Sequence, residues 1–140
     1  MGTFEPFAPG LYAGGQPSPE DLDALVARGV RTVINLRAPS ETVEYDEASH
    51  ADQLGLRYIS IPVAGPADVT AETAARFSHV LGEAMRIGAT LVHCASSNRV
   101  GALIALDQGL AKGAARVDAI ALGRAAGLTT LQPVVEGLLD

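Results

Sequence analysis

Residues 91–101 read LVHCASSNRVG: an apolar run, then His93-Cys94, a polar loop closed by Arg99, and Val100-Gly101 opening a second apolar stretch. Thr90 to His93 has the composition of a short buried strand, and Asn98 to Leu110 that of a helix. A strand ending in cysteine and a loop feeding a helix bring the sulfur to where unsatisfied backbone N–H groups and the positive helix end converge. No residue from Ala95 to Val100 is proline, so every N–H of the loop can donate. The same donors favour a thiolate and a bound anion, and the planar fork of Arg99 matches two oxygens of a phosphate-like group. Cys94 is therefore the candidate nucleophile, Arg99 the candidate anion clamp, and Ala95, Ser96, Ser97, Asn98 and Val100 the candidate ligands of the substrate. The plain alternative for Cys94 is a buried structural thiol.

Outward from the loop, the punctuation is regular. Ser18-Pro19-Glu20-Asp21 offers an N-cap, a proline at the first helical position and an acid three residues after the cap, predicting a helix to about Arg28 that Gly29 ends. Val30 to Leu36 is β-branched and nearly continuously apolar, as a strand covered on both faces should be. Leu56 to Val63 is a further strand stopped by Gly65-Pro66, and residues 39–55 read as a loop with a helix. Thr70 caps a helix in which Ala74, Phe77, Val80, Leu81, Ala84 and Met85 recur at spacings of three and four, ending near Gly88. Val117 to Ala126 and Leu131 to Leu139 are two more helices, and Leu11 to Ala13 is a short strand in a Gly- and Pro-rich opening region. Strands alternating with helices predict a three-layer α/β domain over residues 1–140, with a mostly parallel sheet of about four strands flanked by helices. Ligands of such sheets bind outside the carboxyl ends of the strands, where the Cys94 loop falls.

A chain of 140 residues with 48% hydrophobic content can bury a core without disulfides or metal. Its one cysteine cannot form an intramolecular disulfide, and no basic-plus-apolar leader opens it, so the reducing cytoplasm is the expected compartment. No apolar run reaches the roughly 20 residues of a membrane span, so no membrane partner is expected. A net charge of −6 argues against nucleic acid. No His/Cys cluster suits zinc and no glycine set forms a nucleotide fingerprint, so neither metal nor cofactor is expected. The expected partner is a small anionic substrate or a phosphorylated molecule.

At His93-Cys94 and Arg99 the sequence resembles the protein tyrosine and dual-specificity phosphatase superfamily, whose signature is His-Cys, five residues, then Arg. It is similar above all to a bacterial branch, the tyrosine-phosphatase-like domains joined to β-lactamase-like hydrolases. The resemblance extends through Leu11 to Pro17, Val33 to Arg37, Tyr58 to Val63 and His93 to Gly101. It implies a cysteine-phosphatase-like fold and hydrolysis of phosphate monoesters through a thiophosphate on Cys94, with an aspartate on a neighbouring loop protonating the leaving oxygen. Asp68 follows the strand ending at Val63 and takes that role, though an acid near a helix start is stabilising without catalysis. Arg37, at a strand end, either lines the same pocket or pairs at the surface with Glu41 or Glu44. Strand alternation points the His93 ring away from the thiol, so it is expected to orient the loop by hydrogen bonds.

Three features depart from the superfamily. Only four residues separate Cys94 from Arg99, Val100 stands where a serine or threonine assists the sulfur, and Ser97 replaces a loop glycine. A four-residue spacing also resembles the active loop of rhodanese-like sulfurtransferases, whose cysteine carries a persulfide. Sulfur transfer on Cys94 is thus the alternative chemistry, and a noncatalytic oxyanion-binding module is a third reading.

Overall fold

The computed structural model describes residues 4–139. In chain order the elements are β1 (Pro6–Ala8), β2 (Leu11–Gly14), α1 (Pro19–Ala27), β3 (Val30–Asn35), α2 (Glu47–Gln53), β4 (Arg57–Ser60), α3 (Ala71–Ile87), β5 (Ala89–His93), α4 (Asn98–Leu106), α5 (Arg116–Ala125) and α6 (Gln132–Leu139). One five-stranded sheet has the order β1-β2-β5-β3-β4, parallel throughout except for the β1/β2 hairpin. This is the three-layer α/β architecture expected from the sequence, with one strand more. The extra strand, β1, is three residues long and turns into β2 through Gly10 at φ 73°, too short for a period-two pattern.

Local chemistry sets the helix limits. Ser18 Oγ accepts from the Asp21 N–H at 3.0 Å while Asp21 accepts from the Ser18 N–H at 2.9 Å, a reciprocal capping box, and Gly29 leaves α1 at φ 102°. Thr70 Oγ1 accepts from the Thr73 N–H at 3.1 Å and starts α3, whose Ala74, Phe77, Leu81 and Ala84 are buried. Those side chains pack with Val92, Leu103 and Ile104 between the sheet and the α3–α6 side. Leu22, Leu25, Val33, Ala51, Leu56 and Leu91 fill the other side beneath α1 and α2. β5 is thus covered on both faces, which explains the continuous apolar run that ends at Cys94.

α4 passes through the interior, with every residue from Val100 to Leu106 buried. Its close approach to α5 is permitted by Gly101, where a Cβ would meet the Leu128 N at 2.1 Å and the Gly123 carbonyl oxygen at 2.5 Å. Beyond Leu106 the helix widens into a π-turn, Asp107–Ala111, and the last four residues of the predicted Asn98–Leu110 helix therefore lie in a different winding. Because the colliding groups at Gly101 are backbone atoms that cannot rotate aside, Gly101→Ala should cost about 3 kcal/mol, the upper end of ordinary overpacking, measured by urea denaturation.

Candidate active site

Cys94 leaves β5 fully buried, its N–H directed to the Gly14 carbonyl at 3.3 Å, while Ala95 and Ser96 behind it are exposed. Gly15 forms an antiparallel bridge with Ser96, and a Cβ there would lie 2.5 Å from the Ala95 carbonyl oxygen, so glycine lets the β2 exit press against the loop. Ser97 has φ 71°, a left-handed turn that sends the chain into α4. Its hydroxyl donates to the Ala126 carbonyl at 2.6 Å. Asn98 is spent structurally: its Oδ1 accepts from the Thr129 and Leu131 N–H groups at 2.8 and 3.3 Å, and its Nδ2 donates to Thr130 at 2.7 Å. The Val100 side chain is buried in the core.

Arg99 is locked by three bonds. Nη1 donates to Glu41 Oε2 at 2.6 Å and to the Val63 carbonyl at 2.7 Å, and Nη2 donates to Glu41 Oε1 at 2.7 Å. The Glu41 pairing holds the guanidinium charged against the opposing effect of burial, and the nearby Cys94 sulfur acts in the same direction. The Arg99 bond in turn lowers Glu41 from 4.5 to about 2, against burial and with help from the Ala38 N–H. Three of five guanidinium N–H groups are so used, leaving the Nε–H and one Nη2–H on the opposite edge of the fork.

Behind the loop lies a charged cluster with almost no solvent. Glu47, 3% exposed, accepts from His93 Nε2 at 2.5 Å, Gln16 Nε2 at 2.7 Å and Arg37 Nη2 at 3.3 Å. Burial alone would raise the Glu47 pKa, but the bonds and charges of His93, Gln16 and Arg37 bring it below the usual value. As an acceptor-only carboxylate Glu47 receives the Nε2–H of His93, whose Nδ1 lies 3.4 Å from the Cys94 carbonyl oxygen.

A model of the family described as DSP-PTPase phosphatase fused to NAD+ kinase matches residues 8–127. The chain belongs to this phosphatase family. The beta-lactamase hydrolase-like proteins of Xylella fastidiosa and Agrobacterium fabrum are each 33% identical to it, over 84% and 71% of the chain. The chain spans about a quarter of their length, 27% and 23%. Among solved structures, a putative phosphatase from Shewanella putrefaciens is similar at TM-score 0.74 and 24% identity, covering 98% of this chain and 86% of that one. A putative phosphatase from Neisseria meningitidis gives 0.77 at 22%, covering 99% and 96%, and P. aeruginosa TpbA, solved with pTyr, gives 0.74 at 20%, covering 95% and 80%. These structures share the fold.

The family loop thus gathers Cys94, Ala95, Ser96, Ser97, Asn98, Arg99 and Val100 at the carboxyl end of β5. Arg37 is buried, and its Nη1 donates to the main-chain carbonyl of Glu41 at 2.7 Å rather than to a surface carboxylate of Glu41 or Glu44. Asp68 ends a 3₁₀ turn, Pro66–Asp68, with its Oδ2 accepting from the Ala64 N–H at 2.8 Å. Sequence reasoning missed Glu41, Glu47 and Gln16 as parts of the site. The only advance signal was an excess of acids between two strands whose ends carry arginine and the loop.

Two measurements check this anchoring. Removing the Glu47 carboxylate strands Arg37 and His93 in the interior, so Glu47→Ala should destabilise by about 3–5 kcal/mol in chemical denaturation. Glu41 is held below its unfolded value, so its contribution is complete above pH 4.5 and disappears as pH falls to about 2. The wild-type denaturation midpoint should fall across that window, and Glu41→Gln should flatten part of the fall.

Proposed function

We propose that this domain hydrolyses phosphate monoesters with Cys94 as nucleophile. The observation that carries the reading is the placement of Cys94 and Arg99 on one loop at the carboxyl end of β5, with three of the Arg99 N–H groups held by Glu41 and Val63. An anion entering the loop meets the remaining N–H groups of Arg99 together with the backbone N–H groups of Ala95 to Val100 at the α4 N-terminus. In the first step the sulfur attacks phosphorus, the P–O ester bond breaks, and the leaving oxygen takes a proton from Asp68. In the second, Asp68 accepts a proton from water as its oxygen attacks phosphorus, the P–S bond breaks, and phosphate leaves with the thiolate restored. Loop donors and Arg99 stabilise the equatorial oxygens in both steps. Membership of the phosphatase family supports this chemistry, and the pTyr carried by TpbA supports a phosphorylated small substrate.

Release of phosphate from phenyl phosphate should depend on the sulfur, with Cys94→Ser losing at least about 10³-fold in kcat. Asp68→Asn should lose about 10²–10⁴-fold, most strongly for poor leaving groups. Equal activity of wild type and Cys94→Ser overturns the reading, and a stable persulfide mass on Cys94 after thiosulfate, without phosphate release, replaces it with sulfur transfer.

A further inference from the structure

The loops after β2 and β3 flank the Cys94 loop, because β5 lies between those strands in the sheet. Each is joined to the loop through one residue: Gly15 bridges Ser96, and Glu41 binds Arg99. The very next residues, Gln16 and Thr42, line a cleft of about 420 Å³ whose other walls include Ser18, Val43, Glu44 and Tyr45. The Tyr45 hydroxyl donates to the Pro17 carbonyl at 2.8 Å and ties the two walls together.

The charge of this face is one-sided. Residues 16–27 hold three Asp or Glu and residues 38–56 hold five, with no lysine or arginine in either segment; Glu47 is buried and Glu41 is ion-paired, so six acids remain on this face, flanked by Arg28 and Arg57. Arg37 and Arg99, facing them from neighbouring elements, are paired with Glu47 and Glu41, and His50 is paired with Asp23. Among the described residues Glu44 is the one charged residue of the cleft lining, and it is exposed. Gln16, one of the lining residues, also has an unpaired acceptor. Gln16 Nε2 donates to the Pro17 carbonyl and to Glu47, which fixes the amide orientation, while its buried Oε1 has no partner among the described residues.

We propose that this cleft receives the organic part of the substrate and selects phosphomonoesters whose alcohol or phenol is uncharged or cationic and carries a hydrogen-bond donor. The inference rests on the phosphatase reading and narrows it. The loop attracts one phosphoryl group, and the acidic face beside it repels a second anion, so acidic phosphopeptides and polyphosphates are poor substrates. An ammonium or hydroxyl in the cleft meets acceptors instead of competing with them.

The test uses three aryl phosphates: phenyl, 4-(aminomethyl)phenyl and 4-carboxyphenyl phosphate, each titrated into the Cys94→Ser protein and followed by backbone amide NMR. At low ionic strength the aminomethyl ester should bind at least about fivefold more tightly than the carboxy ester, with the difference shrinking in 0.5 M salt, roughly where screening is nearly complete. Signals of Gln16, Thr42 and Tyr45 should move with the aryl esters and stay with inorganic phosphate. Glu44→Lys should abolish or invert the ranking. Equal affinities, unmoved cleft signals, a ranking unchanged in Glu44→Lys or no binding of any ester each overturn the inference. Ranked binding without turnover leaves the cleft assignment standing and removes the phosphatase reading, whereas Cys94-dependent turnover without ranking does the reverse.

Discussion

A carboxylate removed from water is tolerated only if its lone pairs are filled, and Glu47 fills its own with groups from three chain segments. Gln16 follows β2, Arg37 follows β3 and His93 ends β5, so one side chain on α2 gathers the exits of three neighbouring strands. Each exit is also a wall of the site. Gln16 is the neighbour of Gly15, which bridges Ser96, and His93 is bonded to Cys94 itself. The cluster therefore transmits the spacing of the sheet to the loop, and its charge is the reason that it can do so: a neutral core would fill the space without fixing any direction.

The second anchor acts on Arg99 through the long connection between β3 and α2. That segment has little regular structure, yet Glu41 is held at both ends of its residue. Arg37 binds its carbonyl, while its carboxylate takes Arg99 and the Ala38 N–H. The two arginines divide the labour, Arg37 shaping the backbone that presents the carboxylate and Arg99 receiving it. Pairing with Glu41 cancels much of the guanidinium's long-range attraction for anions. What the loop retains is short-range and directional: two N–H groups on the free edge of Arg99 and the main-chain donors at the start of α4. Such a site discriminates by geometry more than by net charge, consistent with an anion-binding loop in an acidic chain.

The legible part of the fold was the part written in local chemistry. The Ser18 cap, the Thr70 cap, the Gly29 and Gly88 ends and the β-branched run from Val30 each obey short-range rules, and the helices and inner strands fall where those rules put them. The loop was legible because cysteine, polar residues and arginine between a strand and a helix have few other uses. β1 escaped because three residues carry no period. Glu41 and Glu47 escaped for a different reason: they stand 58 and 46 residues from their partners Arg99 and His93, in a stretch whose acids all look like solvated surface. Nothing local distinguishes Glu47, buried and shared by three donors, from Glu44, exposed in the cleft. Arg37 was read as a ligand or a surface pair for the same reason, since its burial depends on how β3 and α2 meet.

The shortened loop has its own physical account. Four residues must carry the chain from the end of β5 to the start of α4, and a left-handed residue makes that turn without lengthening it. Serine adopts the conformation at a cost of about 1 kcal/mol or more relative to glycine. Ser97 offsets this with its bond to the Ala126 carbonyl, and the space for it exists because residue 127 is glycine, where a Cβ would sit 2.5 Å from the Ser97 Cβ. Asn98 fastens the next residue to the same turn through Thr129, Thr130 and Leu131. The connection between α5 and α6 thus acts as a brace for the loop. That gives the carboxyl-terminal helices a direct role in the loop's geometry: they hold in place the left-handed turn through which a loop one residue short passes from β5 into α4.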